Sequence, residues 1–261
     1  LDSLTQSLLP GTVSIHGGNV GACKSFAILQ GHSYCSEHGI KSACLELEED
    51  RPYHLLRALA QRTGLSGLTK TDWIEQNPDH AREAYTENAD FLQAMGAVIT
   101  DCPERQMTLN EVAEWIERKA REKCRVISVD PLTAAAHTSK DTWQEDNQFV
   151  QRVKRAAVEY QCSIILVSHP IKAVSCPDVS QLSGGAAYSR FAQTIIWWES
   201  HEPTTSAVKT DCGPCDLDHT RTVNILKARN GVGQGMRLAV ELHKDSLTLR
   251  ELGLICKKVK S

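Results

Sequence analysis

The sequence has no long apolar run. Its most hydrophobic stretches, Ser163 to Ser168 and Thr194 to Trp198, fall far short of the roughly 20 residues a helix needs to cross a bilayer, which excludes a transmembrane helix and gives no reason to expect a membrane partner. It has no large excess of either charge: 29 Lys and Arg stand against 32 Asp and Glu, a formal net charge of -3. A uniformly basic, histone-like surface is excluded, and any contact with a polyanion must be local. Internal repeats, low-complexity tracts and linker-like stretches are absent, so nothing divides the 261 residues into separate parts. The start lacks the charged and then apolar segments of a secretory signal. It also lacks an initiator methionine, and the chain is expected to be the C-terminal part of something longer. Ten cysteines are present, but most lie in apolar runs rather than in the spacing of a small stapled domain, which points to a reducing, cytosol-like compartment.

What is present is enough for a packed core. With 41% hydrophobic and 23% charged residues, the composition is that of a globular chain, long enough for one large α/β domain. Thr12 to His16 reads as a strand, Gly17 to Gly21 as a loop and Lys24 to Glu37 as a helix. Ser42 to Leu47 reads as a second strand, followed by Glu48, Glu49 and Asp50 and a helix bearing Leu55, Leu56, Leu59 and Ala60. Short helices are expected from Leu65 to Asp90, then a strand at Ala97 to Thr100. Thr108-Leu-Asn-Glu111 has the spacing of a capping box opening a helix. The apolar runs 125–130 and 163–168 read as buried parallel strands, with a helix, Asn147 to Tyr160, between them. Beyond the glycine pair at 184 and 185, four strand-like segments (194–198, 222–228, 236–242 and 246–252) follow without helices, so the end of the chain is expected to be antiparallel.

Gly18-Asn19-Val20-Gly21-Ala22-Cys23-Lys24-Ser25 nearly fits G-x-x-x-x-G-K-[ST] and lies between a strand and a helix, as that motif requires. Loop amides and a helix N-terminus suit the phosphates of ATP, Lys24 their charge, and Ser25 a magnesium ion. Cys23 departs from the pattern: if that position needs positive φ, a non-glycine residue there costs about 1 to 2 kcal/mol. Asp130 ends a buried strand where a second group directed at Mg2+ is needed. A carboxylate after the second strand suits the activation of water, and Glu46, Glu48 and Glu49 are all candidates.

With these motifs in order, the chain resembles the RecA-fold motor domain of DnaB-like hexameric replicative helicases, particularly phage primase-helicases and their mitochondrial relatives. The resemblance spans nearly the whole chain. It implies a RecA-like P-loop NTPase fold, with a mostly parallel sheet flanked by helices and an antiparallel C-terminal extension over residues 1–261. Leu45-Glu-Leu-Glu48 resembles the strand carrying the catalytic glutamate, which selects Glu48. Val126-Ile-Ser-Val-Asp130 resembles Walker B, and Ile165-Leu-Val-Ser-His169 the strand whose polar end senses the γ-phosphate, which selects His169. Leu182 to Ile196 resembles the segment after the DNA-binding loop, with residues 173–181 facing a central channel and Lys172 and Arg190 as DNA-contacting candidates. Ile225-Leu-Lys227-Ala-Arg229 resembles the K-x-R element, whose arginine reaches a neighbouring subunit's nucleotide. The implied partners are single-stranded DNA, other copies of the chain in a hexameric ring, and a primase or loader. The implied activity is ATP hydrolysis driving 5′-to-3′ movement, and the implied setting is the cytoplasm of a bacterial or phage-infected cell ahead of a mitochondrial matrix.

Two other functions fit the nucleotide motif: a RecA-type recombination ATPase, and a nucleotide-binding regulator in which Cys23 slows hydrolysis. Cys212-Gly-Pro-Cys215 with His219 has spacing that could begin a zinc site, but no fourth ligand is evident, and an elongated polar hairpin is the favoured reading of Ser200 to Arg221. Cys102, Cys162 and Cys176 read as core or loop thiols.

Overall fold

A computed structural model describes residues 1–101, 104–170, 177–182 and 185–256. In chain order the elements are α1 (Asp2–Thr5), β1 (Thr12–Gly18), α2 (Lys24–Glu37), β2 (Ser42–Glu46), α3 (Arg51–Thr63), α4 (Thr71–Gln76), α5 (Pro78–Glu87), α6 (Ala89–Val98), β3 (Ile99–Thr100) and α7 (Leu109–Arg121). They continue with β4 (Val126–Asp130), α8 (Thr142–Tyr160), β5 (Ser163–Val167), α9 (Gly185–Phe191), β6 (Thr194–Thr210), β7 (Gly213–Ala228), β8 (Arg237–His243) and β9 (Thr248–Ile255). One sheet takes the order β3-β2-β4-β5-β1-β6-β7-β8-β9. Pairing is parallel from β3 through to β6 and antiparallel from β6 onward.

The alternation of side chains along buried strands sorts the core onto two faces. Val13, Ile15, Leu45, Ile127, Val129, Ile164, Leu166 and Trp197 pack with residues of α7, α8 and α9 into the larger cluster. The opposite face carries Cys44, Ile165 and Val167 against Ile28 of α2. Glu46 and Asp130 are cross-strand partners at the C-terminal ends of β2 and β4, and by the same alternation they belong to the α2 face. That register places two carboxylates beside the helix that begins with Lys24.

Several boundaries differ from the sequence reading. The capping box at Thr108 forms with both of its hydrogen bonds. Helix α8 begins five residues before Asn147, because the Asp141 side chain accepts the Gln144 amide and caps a polar first turn that hydrophobic periodicity does not reveal. Ala97 and Val98 finish α6, leaving β3 only two residues. Strands β6 and β7 run beyond the apolar segments as one polar hairpin, the reading favoured for Ser200 to Arg221. In that hairpin Cys212 and Cys215 are exposed, and both His219 ring nitrogens are engaged, at 3.0 Å from Arg221 O and 3.0 Å from Ser206 Oγ. Among the described residues no three metal-ligating side chains gather, and no helix is long and apolar enough to cross a membrane. Cys162 is buried in the core; Cys102, Lys172, Cys176 and Gly184 lie outside the described residues, as do 173–175.

Candidate active site

The glycine loop leaves β1 at the C-terminal edge of the sheet and passes directly into α2. Gly18 (φ 142°) lies against the backbone of β6, where a Cβ would sit 2.3 Å from the Trp198 carbonyl oxygen. At Gly21 the space is open but φ is 77°, so there conformation rather than crowding favours glycine. Cys23 adopts φ 68°, ψ 23° as the N-cap of α2, the left-handed geometry that makes a side chain costly at this point. Its sulfur accepts a hydrogen bond from Arg221 Nε at 3.3 Å, which ties the loop to β7.

Lys24 and Ser25 open the helix. The Lys24 ammonium is buried and donates to the carbonyls of Gly18 (2.8 Å) and Asn19 (3.0 Å). Burial lowers its pKa to about 8, against the opposing charges of Asp130, Cys23 and Glu48. Asp130 is also buried. Its carboxyl is pushed up to about 7 by desolvation and then by the charge of Glu46, while a hydrogen bond from Ser25 and the positive charges of His54 and Lys24 pull the other way. Its Oδ2 is buried and has no hydrogen-bond partner among the described residues. Glu46 has chain partners at both oxygens: the Cys44 thiol donates to Oε1 at 3.0 Å, and His54 Nε2 lies 3.0 Å from Oε2. That His54 contact is an ion-pair approach rather than an aligned hydrogen bond.

These groups surround a cleft of about 330 Å³, lined by the loop from Val20 to Phe26, by Glu46, Glu48, Glu49, His54 and Arg57, and by Asp130, Pro131 and His169. Glu48 is exposed in the bend after β2. His169 follows β5; burial and then Lys24 lower its pKa, while Glu48 and a backbone hydrogen bond at Gly18 oppose them. Among the described residues His169 Nδ1, which is buried, has no partner. Sequence reasoning missed His54 and Arg57, which line the same cleft. Their i, i+3 spacing at the start of α3, just after the acidic run, was the available signal.

Lys227 and Arg229 do not line this cleft. The Lys227 amine donates to the Ser189 carbonyl and Arg229 Nη2 to the Arg190 carbonyl at 3.2 Å, both on α9. Arg190 itself is exposed. The register gives the reason. Ala228 pairs with Thr194, and Thr194 with Ser14 near the start of β1, whereas the phosphate-loop motif begins at Gly18. At about 3.3 Å per residue, roughly 13 Å of strand separates the two levels.

A lysine and a serine at the start of a helix reached through a glycine loop, with an aspartate ending a neighbouring parallel strand, define a P-loop nucleotide-binding fold of the RecA-like kind. The donor set fits a nucleotide and a hard divalent cation: open loop geometry at Gly21, a serine hydroxyl, and a carboxylate oxygen without a partner. The chain belongs to a family described as an AAA domain, whose model matches residues 1–174. Among solved structures it is similar to an isolated ATPase domain, with TM-score 0.66 and 14% identity over 92% of this chain and 85% of that one. It is also similar to a DnaB-like replicative helicase described with its interactions with primase, with TM-score 0.70 and 14% identity over 95% of this chain. The chain spans 59% of that helicase's length. Among curated proteins none matches it significantly. The fold is that of the DnaB-like ATPase domains.

Proposed function

We propose that this chain is the ATP-hydrolysing motor of a DNA helicase, working at the interfaces between copies in a ring, by resemblance a hexamer, and moving on single-stranded DNA in the 5′-to-3′ direction. The observation that carries this reading is the separation of the sheet edges: Lys24, Ser25, Asp130, Glu48 and His169 gather at one, and Arg229 at the other. A finger arginine so placed serves a neighbour's cleft. A heterologous contact of that kind closes into a ring when its rotation permits.

Phosphoryl transfer asks the protein mainly for positioning and for stabilisation of charge. The loop amides from Gly18 to Ala22, the Cys23 backbone and the Lys24 ammonium hold the phosphates, and Lys24 leaves its carbonyl partners to do so. Ser25 and Asp130 would hold magnesium, which when bound would offset phosphate charge. Glu48 orients the attacking water, His169 senses the γ-phosphate through its free ring nitrogen, and Lys227 and Arg229 of an adjacent copy stabilise the developing charge. Exposed Arg190, together with Lys172, carries DNA contacts from the channel side. A primase or loader is a further proposed partner, and the cytoplasm of a bacterial or phage-infected cell the proposed setting.

A second reading has support from one feature. Positive φ at Cys23 favours a nucleotide-binding regulator with slow turnover. Steady-state ATPase with and without single-stranded DNA, followed by unwinding of a forked duplex, separates the two. The motor requires DNA-stimulated turnover and strand separation; folded rings that DNA does not stimulate would instead be the regulator.

A further inference from the structure

The edge of the sheet that carries Lys227 and Arg229 holds a third cation. Lys154, in the second half of α8, donates its ammonium to the Gly11 carbonyl at 2.6 Å, just ahead of β1. Two residues on, Val13 is tied to Gln193 in both directions: its amide donates to Gln193 Oε1 at 2.8 Å, and its carbonyl accepts the Gln193 amide at 2.9 Å. The Gln193 carbonyl in turn accepts the Arg229 amide at 2.9 Å. Lys154 and Arg229 are thus fixed to one short stretch of main chain. Burial lowers the proton affinity of Lys154, and the charge of Arg229 lowers it further; the same two causes act on Lys227.

The three cations are anchored alike. The main-chain carbonyls of Gly11, Ser189 and Arg190 hold them, and among the described residues none has a carboxylate within salt-bridge distance. Arg152, two residues earlier on α8, shows the contrast: Glu117 clamps it at 2.6 Å and 2.9 Å. Three like charges with no carboxylate in contact, Glu159 lining the groove beside Lys154 without pairing to it, repel one another, and an arriving anion relieves that repulsion. Carbonyl anchoring fixes their positions without neutralising them.

We propose that Lys154 is a third phosphate-binding residue acting across the interface, gripping with Lys227 and Arg229 the nucleoside triphosphate held by the neighbouring copy. It deepens the reading given above and rests on the sharing of sites between copies. A trans-acting cation is tested by mixing copies. In an equimolar mixture of Lys154→Ala and Lys24→Ala chains, an interface is intact where the first supplies the loop and the second supplies Lys154.

Alone, Lys154→Ala is expected to lower ATPase kcat about 10- to 100-fold, while Lys154→Arg keeps most of it. The mixture is expected to recover about a quarter of the wild-type rate, the share of intact interfaces under random assembly in a heterologous ring. Sedimentation verifies that Lys154→Ala copies enter rings; if they do not, Lys154→Gln is put through the same mixture. Wild-type turnover in a ring-competent variant overturns the proposal. So does failure of the mixture to recover when a parallel mixture of Arg229→Ala with Lys24→Ala does recover, because Lys154 then acts within its own copy. If neither mixture recovers, the shared site falls, and the role of Lys154 with it. Weakened binding to a single-stranded oligonucleotide with turnover intact would assign the charge to DNA and overturn the proposal as well.

Discussion

At the C-terminal edge of the parallel strands, Lys24 sits among Asp130, Glu46 and Glu48 and folds onto loop carbonyls. At the opposite edge, among the described residues, Lys154, Lys227 and Arg229 have carbonyl partners alone. The first edge has a cleft lined with acids, bases and a helix N-terminus; at the second, Lys154 lines a groove with Gln151, Arg155, Val158, Glu159 and Phe191. In the proposed mechanism neither set of groups acts by itself, because phosphoryl transfer needs the phosphates held on one side and their developing charge met on the other. In the proposed ring the same sheet offers a receptor at one edge and a reagent at the other, and two copies placed edge to edge supply what one lacks.

The contrast breaks most severely at Lys24. Lys24→Ala should abolish measurable ATP turnover and weaken binding of a fluorescent ATP analogue; unchanged turnover would remove the cleft from the chemistry. Next comes Arg229→Ala, expected to lower kcat about 10³-fold while leaving nucleotide affinity nearly intact, a split that stopped-flow binding beside steady-state kinetics would resolve. A change at Gly18 separates stability from chemistry. An added Cβ meets Trp198 O at 2.3 Å, so Gly18→Ala should destabilise the fold by about 3 kcal/mol, visible as a lower urea midpoint even without nucleotide.

Acid should strike the parallel part of the sheet. His32 is buried between Ser42 and Ser128, with ring nitrogens at 2.9 Å and 2.6 Å from their hydroxyls, and burial lowers its pKa from 6.5 to about 4. A depressed folded-state pKa means that the stability is present above pH 6.5 and is lost as pH falls from there through about 4, up to about 3 kcal/mol for this group. Urea unfolding at several pH values checks the slope, which should flatten in His32→Gln. The smallest effect is expected at Cys23: Cys23→Gly relieves the left-handed strain and should gain about 1 kcal/mol, with turnover maintained or raised. A fall in stability would mean that the Arg221 contact at 3.3 Å outweighs the backbone cost.

How much of this was legible in the sequence follows from the range of the interactions involved. The β1 loop and α2 were legible because glycine punctuation, a helical run and the Lys-Ser pair are local signals, and helix α2 spans Lys24–Glu37 as the pattern predicts. The capping box at Thr108 was legible for the same reason. The C-terminal ends of β2, β4 and β5 were recognisable as apolar runs ending in polar residues, which placed Asp130 near the cleft, whereas the choice of Glu48 over Glu46 and Glu49, and of His169, came from the family resemblance. What the sequence withheld depends on register. No spacing along the chain places Glu46 opposite Asp130, or Arg229 at the far edge from Gly18; those follow from which strands pair and where. Lys154 was missed because on its helix it reads as one more polar residue, and only the fold brings its amine to Gly11. The polar hairpin of β6 and β7 was expected over Ser200 to Arg221 from its polar interruption of two strands, and the pairing supplied its register.

The most direct test is ATPase activity in rings assembled from equal amounts of Lys24→Ala and Arg229→Ala chains, each inactive alone. If Arg229 completes the cleft of another copy, random mixing leaves about one interface in four intact, and roughly a quarter of the wild-type rate returns. A rate no higher than the average of the two separate variants, in rings shown to contain both, would mean that each copy works with its own residues and would contradict the shared site.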